Sequence, residues 1–328
     1  MTKRRNLRLT KRRNLRLMKR CNLRLMMLSV ETLNWWSKET VAVVTGANKG
    51  IGFAIVRQLA KQGITVVLTA RDTHRGERAV ESLKCEGLHD NVNFHSLDVR
   101  SEQSALALAE WLRDTYGGID ILINNAAIAS TEIGDTFEDA KSLLDTNYFG
   151  VKNVTKALLP LARNTPGGFR VVVVSASVGQ LKGLGNNNKY RKILSDRENI
   201  TEDLVDDFVY KYLEEVENGT WKEGGWPDWT KLGQQFPLRT YSVSKLAVNA
   251  YVSALHNSFA AGRGRKLGQL VNVFSCCPGL VDTDLGFLGR PVPKKTPEQG
   301  ADTPVWLALY CPKGGSGKFW SDRNEKEF

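Results

Sequence analysis

The stretch that most constrains this chain is Val41–Gly52, VAVVTGANKGIG. The short apolar run from Val41 to Val44 reads as a buried strand. The glycine-rich turn after it opens into a segment with Ile51, Ile55 and Leu59 at helical spacing. Gly46 permits a tight turn, Gly50 lets backbone approach a diphosphate closely, and Gly52 lets the helix pack on the strand. A helix starting here aims its unpaired N–H groups and the positive end of its dipole at bound phosphate. Strand, turn and helix together predict a dinucleotide cradle made of Gly46, Asn48, Lys49, Gly50, Ile51 and Gly52.

The next strand, Ile64–Ala70, ends in Arg71. An acid usually stands at this point in NAD sites, where it binds the ribose 2′-OH. Here Arg71 and Lys49 supply two cations, which suit a 2′-phosphate, and NADP(H) is the expected cofactor. Asp72 is displaced by one position, so its side chain should point elsewhere. Further strands are predicted at Val92–Asp98, Ile119–Ile123, Val171–Val174 and Leu270–Ser275, with helices at Ala105–Arg113, Ser142–Leu161 and Gly300–Leu309. That alternation predicts an α/β fold, a Rossmann-type doubly wound parallel sheet with helices on both faces.

The alternation pauses between Ser175 and Tyr241. Within that insertion, about residues 180–238, Leu204, Val205, Phe208, Val209, Tyr212, Leu213 and Val216 form one apolar helical face. Thr201 is placed to cap its start and Asn218-Gly219 to end it. The insertion and the Leu285–Pro293 loop are the expected walls of a substrate pocket. No linker is evident beyond residue 40, so residues 39–328 are read as a single domain.

The charge of +11 is confined to one end. Eleven of the 46 basic residues lie in the first 30, which hold no acid, leaving 35 basic against 35 acidic groups in the rest. The body therefore has no bulk electrostatic case for nucleic acid. In residues 1–38, TKRRNLRL occurs twice and recurs as MKRCNLRL. Such a unit is too short to bury a core, and it reads as a disordered extension, with an organellar presequence as the second reading. Five scattered cysteines and four histidines lack metal-ligand spacing, so no metal is expected, and a reducing, cytoplasmic setting fits the thiols. No apolar run is long enough to span a membrane.

Tyr241 and Lys245 are four apart and share a face of the helix they open. Reducing a carbonyl by hydride creates an alkoxide that must be protonated as it forms, and a phenol beside an ammonium can do this. Together with Thr45–Gly52, Asn124-Asn125-Ala126 and Asn147, the Tyr241…Lys245 pair resembles the short-chain dehydrogenase/reductase family, and the long insertion resembles its carbonyl-reductase branch. The resemblance covers about Glu39 to Phe328.

It implies an NADPH-dependent reductase acting on a ketone or aldehyde of a hydrophobic, terpenoid- or alkaloid-like small molecule. Tyr241 is then the proton donor, Lys245 holds the nicotinamide ribose and lowers the Tyr241 pKa, and Asn147 positions a water that relays protons to Lys245. Asp98 and Val99 meet the adenine, Asn125 and Ala126 line the cofactor, and Thr283 contacts the carboxamide beyond Pro278, Gly279 and Val281. Lys49 and Arg71 match the basic positions of NADP-preferring members.

One position departs from the family pattern. Counting back from Gly179 puts Ala176 where the family has a serine that hydrogen-bonds the substrate carbonyl. Ser175 and Ser177 flank it. If the strand persists, alternation turns them away, and if it ends at Val174 either hydroxyl could swing in. The alternative function is therefore an NADP-binding protein with weak or no catalysis. The insertion also resembles a helical cover over the surface through which other members oligomerise, so a monomer is expected. Light scattering should give the mass of one chain, and a stable tetramer would contradict that reading.

Overall fold

The structure, a computed structural model, describes residues 34–88, 90–129, 136–186, 188–227, 238–263, 269–285, 294–310 and 312–328. The basic repeats lie outside the described residues, as do 228–237 of the insertion and 286–293 of the loop expected to help wall the pocket. Residues 36–328 form one compact unit.

Val41–Val44 (β1) is wholly buried, as a strand covered on both faces must be. Its first amide donates to the Asp120 carboxylate at 2.8 Å, which ties its start to the neighbouring strand. There follow Gly50–Lys61 (α1), Thr65–Ala70 (β2), Thr73–Cys85 (α2), Val92–Ser96 (β3), Glu102–Tyr116 (α3) and Ile121–Asn124 (β4). Local chemistry sets the helix starts. Asp72 accepts from the Arg75 amide and caps α2, which explains why its carboxylate turns away from the end of β2. Ser101 caps α3 in the same way.

The single helix expected over 142–161 is divided. Phe137–Leu144 (α4) runs into a π-helical turn at Asp145–Phe149, then Gly150–Leu158 (α5) and a short 3₁₀ turn at Leu159–Leu161 that contains Pro160. A side chain on Gly150 would meet Val99, so helix and loop approach closely there. Phe169–Val174 (β5) leads into the insertion, with Tyr190–Ser195 (α6) and Glu202–Glu217 (α7). Thr201 accepts from the Leu204 amide as expected, and Val205, Phe208, Val209, Tyr212, Leu213 and Val216 are buried. Leu238–Ala260 (α8) carries Tyr241 and Lys245. It is followed by Val271–Cys277 (β6), Pro297–Tyr310 (α9), Lys318–Ser321 (β7) and Asn324–Lys326 (β8).

The strands form one sheet in the order β3-β2-β1-β4-β5-β6-β7-β8. All neighbours are parallel except β7 and β8. The last two strands were not expected, because β7 is four residues long and β8 is exposed and polar, so neither carries a long apolar run. Helices α1 and α9 pack together, as do α3 with α5 and α7 with α8. Strand order reverses at β1 and β4, and a crevice opens beyond their carboxyl ends, where ligands bind in sheets of this type. No helix among the described residues is long and apolar enough to cross a membrane.

Candidate active site

The glycine turn sits over the carboxyl ends of β1 and β4. Thr45 Oγ1 accepts from the Asn125 and Ala126 amides, each at 2.9 Å. Asn125 Nδ2 donates back to the carbonyls of Thr45 (3.0 Å) and Gly46 (3.1 Å). Gly46 has φ +61, and a Cβ there would lie 2.8 Å from Ala126 Cα, so only glycine lets the two chain segments meet. Thr45 was not among the expected site residues. Its hydroxyl acts across 80 residues of sequence, a relation that spacing cannot reveal.

Asn48, Lys49, Phe53, Arg75 and Arg78 line an open recess of about 310 Å³ beside this turn. Arg75 and Arg78 were missed by sequence reasoning, although α2 follows β2 directly. Lys49 pairs with Asp284 across the mouth of the crevice. Arg71 is exposed at the end of β2. It lies close enough to Asp98 to help hold that carboxyl below its usual range, after the larger effect of the Asp98–Arg100 hydrogen bond. Val99 is buried. Beyond β6, Thr283 lies over Gly50, and Val281 and Ile51 lie near Gly300. Pro278 accepts at its carbonyl from Lys295 Nζ at 3.4 Å, and the Gly279 amide donates to Cys277 Sγ at 3.3 Å.

On the opposite wall, Asn147 projects from the π-helical turn. Its Oδ1 accepts from the Ile128 amide at 2.8 Å, and its Nδ2 donates to the Ile128 carbonyl (2.9 Å) and to Ser244 Oγ (3.1 Å). Ser244 in turn donates to the Tyr241 carbonyl at 2.7 Å. Asn147 is thereby fixed between the loop after β4 and α8.

Tyr241 and Lys245 are both buried, at 8% and 3% exposure. Lys245 Nζ lies 5.4 Å from the Tyr241 ring centroid and donates to the Val174 carbonyl at 3.0 Å. Burial pulls the lysine down from its ordinary value to about 8. Burial also pushes the Tyr241 phenol up, with a smaller contribution from Cys277. That is opposite in direction to the depression implied by the resemblance, because desolvation of the ring is the largest effect on it. At neutral pH the phenol holds its proton and the amine is largely charged.

The Ser175 amide donates to the Cys276 carbonyl at 2.7 Å, which carries the β5–β6 ladder one residue past Val174. Alternation therefore turns Ser175 inward, and its Oγ donates to the Lys245 carbonyl at 3.2 Å. Ser177 is exposed. Ala176 is half-buried and, with Ile128, Ala129 and Val178, packs against the cluster of Leu143, Leu238 and Tyr241. These residues make an apolar wall around one phenol. Among the described residues, no group of His, Cys, Asp or Glu is placed to hold a metal ion.

Residues 40–191 match the family model for short chain dehydrogenase. "Carbonyl reductase [NADPH] 1" of Sus scrofa is 41% identical over 298 residues, which cover 89% of this chain and 95% of that protein. "(+)-neomenthol dehydrogenase" of Arabidopsis thaliana is 38% identical over 312 residues, with 88% and 97% covered. Among solved structures, salutaridine reductase from Papaver somniferum superimposes with a TM-score of 0.74 at 34% identity, covering 86% of this chain and 99% of that one. Likeness this extensive, reaching through the insertion as well as the sheet, means that the chain belongs to the short-chain dehydrogenase family.

Proposed function

We propose that this chain is a monomeric, NADPH-dependent carbonyl reductase acting on a ketone or aldehyde of a hydrophobic small molecule of terpenoid- or alkaloid-like character. The observation that carries the reading is the buried Tyr241–Lys245 pair, 5.4 Å from ring centroid to ammonium, set in an apolar wall beside the glycine cradle. The names of the relatives, a carbonyl reductase, a neomenthol dehydrogenase and a salutaridine reductase, support the same chemistry. The packing of α7 on α4 and α8, over the face where others of the family associate, supports a single copy.

The residues present fit the cofactor. The left-handed Gly46 leaves the turn without a side chain facing Ala126, and Lys49, Arg75 and Arg78 gather positive charge at one recess. In this reading Gly46, Asn48, Gly50, Ile51 and Gly52 cradle the diphosphate. Lys49 and Arg71, with Arg75 added by the structure, hold the 2′-phosphate. Asp98 and Val99 border the adenine, Asn125 and Ala126 line the cleft, and Pro278, Gly279, Val281 and Thr283 close over the carboxamide.

NADPH, when bound, supplies the hydride. Tyr241 hydrogen-bonds the substrate carbonyl oxygen and gives it a proton as negative charge develops there. Lys245 binds the nicotinamide ribose, and its positive charge offsets the phenolate that Tyr241 leaves behind. Asn147, anchored on Ile128 and Ser244, orders the water through which Tyr241 and Lys245 are reprotonated. Ser175 takes the family serine's role only by leaving the Lys245 carbonyl, and Ser177 only by turning in from the surface. Tyr241 is thus the principal donor to the oxygen.

The second reading, an NADP-binding protein with weak or no catalysis, rests on Ala176. Absence of one oxyanion donor typically costs roughly 10²–10³ in rate. NADPH oxidation against a panel of cyclic ketones, quinones and aromatic aldehydes separates the two, since the first reading requires turnover of at least one of them. Tyr241→Phe should lower that turnover by about 10²-fold or more while NADPH binding stays near wild type. Retained turnover would remove the phenol from its role. Arg71→Ala, and Arg75→Ala beside it, should each raise the Kd for NADPH about tenfold or more through loss of a charge-assisted hydrogen bond, with little change for NADH. Equal weakening of both cofactors would contradict the 2′-phosphate assignment.

A further inference from the structure

Tyr241 lies on α8, which packs against α7 of the insertion. A proton donor works only where its helix is held in a fixed place relative to the reacting atoms. That placement comes from contacts made outside the helix itself. The insertion supplies it at one atom. Tyr212 of α7 and Thr240 of α8 are both wholly buried, and their hydroxyls share a hydrogen bond of 2.5 Å. Thr240 immediately precedes Tyr241.

The same helix reaches the other side of the site. Asp206 of α7 accepts from the Tyr148 hydroxyl at 2.7 Å and from Lys152 Nζ at 2.7 Å through each carboxylate oxygen. Tyr148 immediately follows Asn147 in the π-helical turn. One insertion helix thus bonds to the chain neighbours of Tyr241 and of Asn147, two of the residues that the proposed reaction uses. Its own seat is firm. The Tyr212 ring packs against Trp226 with centroids 4.9 Å apart, and Trp226 Nε1 donates to Glu215 of α7 at 2.6 Å.

We propose that α7 is a brace for the proton-donating side of the site, with Tyr212, acting through Thr240, as a positioning residue for Tyr241, and Asp206, acting through Tyr148, holding the turn that carries Asn147. This rests on the reductase reading of the same site. An apolar contact would bury these surfaces equally well. Two hydroxyls facing each other add direction, because a hydrogen bond fixes the rotation of α8 at Thr240 where hydrophobic packing fixes only its distance. With Ala176 adding no hydroxyl on the opposite side, the substrate oxygen depends on the placement of the Tyr241 phenol, and small displacements of a reacting group are costly in rate.

The test is a mutant cycle in the full-length protein. Tyr212→Phe keeps the ring and removes the bond. It should lower kcat and kcat/KM together by about tenfold, with the Kd for NADPH within roughly twofold of wild type, the pattern of a contact that matters only in the transition state. The solvent deuterium isotope effect on kcat should rise as proton donation becomes slower. Thr240→Ser, which keeps the hydroxyl, should retain wild-type turnover.

Because Tyr212→Phe leaves the Thr240 hydroxyl buried without this partner, that variant can lose stability. The double variant Tyr212→Phe/Thr240→Val removes both hydroxyls and should recover the wild-type Tm. Under the brace account kcat stays low in the double variant. Recovery of kcat together with Tm would overturn it, leaving the bond a matter of stability alone.

If wild-type protein binds NADPH yet turns over none of the carbonyl panel, the reductase reading fails. The brace is then decided by amide hydrogen exchange in Thr240–Ser244. Faster exchange there in Tyr212→Phe supports it, and unchanged exchange overturns it.

Discussion

A lysine ammonium taken almost wholly out of water is the constraint around which this site is arranged. Burial of Lys245 costs free energy that must be recovered locally, and the Val174 carbonyl, 3.0 Å away, accepts a hydrogen bond from its ammonium. Because Val174 closes β5 and Lys245 lies one helical turn beyond Tyr241, that contact fixes α8 against the end of the central sheet. The phenol is placed as a consequence. Its own burial keeps it protonated, and the neighbouring positive charge becomes useful when the proton leaves.

The rest of the fold can be understood as holding two surfaces to that point. On one side, Thr45 and Asn125 lock the ends of β1 and β4 together, so the glycine turn presents its backbone to the crevice in a fixed place. On the other, Asn147 bridges Ile128 and Ser244, and Gly179 allows the loop after β5 to approach α8 so closely that a Cβ would sit 2.5 Å from the Lys245 carbonyl carbon. The insertion, which the sequence marks only as an apolar stripe, completes this second side through hydrogen bonds to Tyr148 and Thr240.

What could be read from the sequence was what depends on local spacing. The glycine turn, the strand–helix alternation, the Tyr241…Lys245 interval and the α7 stripe are all periodic or short-range signals, and each appears where its spacing places it. What escaped depends on distant partners. The π-helical turn at Asp145–Phe149 interrupts a segment whose apolar spacing looks continuous, and Val99 approaches Gly150 closely just after it. The direction of Ser175 was left open because it depends on whether the β5–β6 ladder passes Val174, and the pairing with Cys276 settles that geometry. Arg75 and Arg78 join the recess through the placement of α2 against the glycine turn, which no motif encodes. Burial, which raises the Tyr241 phenol, is likewise a property of the folded chain that no motif carries.

The central claim is that a charged Lys245 beside Tyr241 is needed for turnover, and the pH profile of kcat/KM in the reductive direction tests it most directly. Burial lowers the lysine from its ordinary 10.5 to about 8, so its positive charge is present below that value and lost above it. The account predicts a rate that declines with a one-proton break as pH rises through about 8. A profile flat to the ordinary lysine range would contradict it.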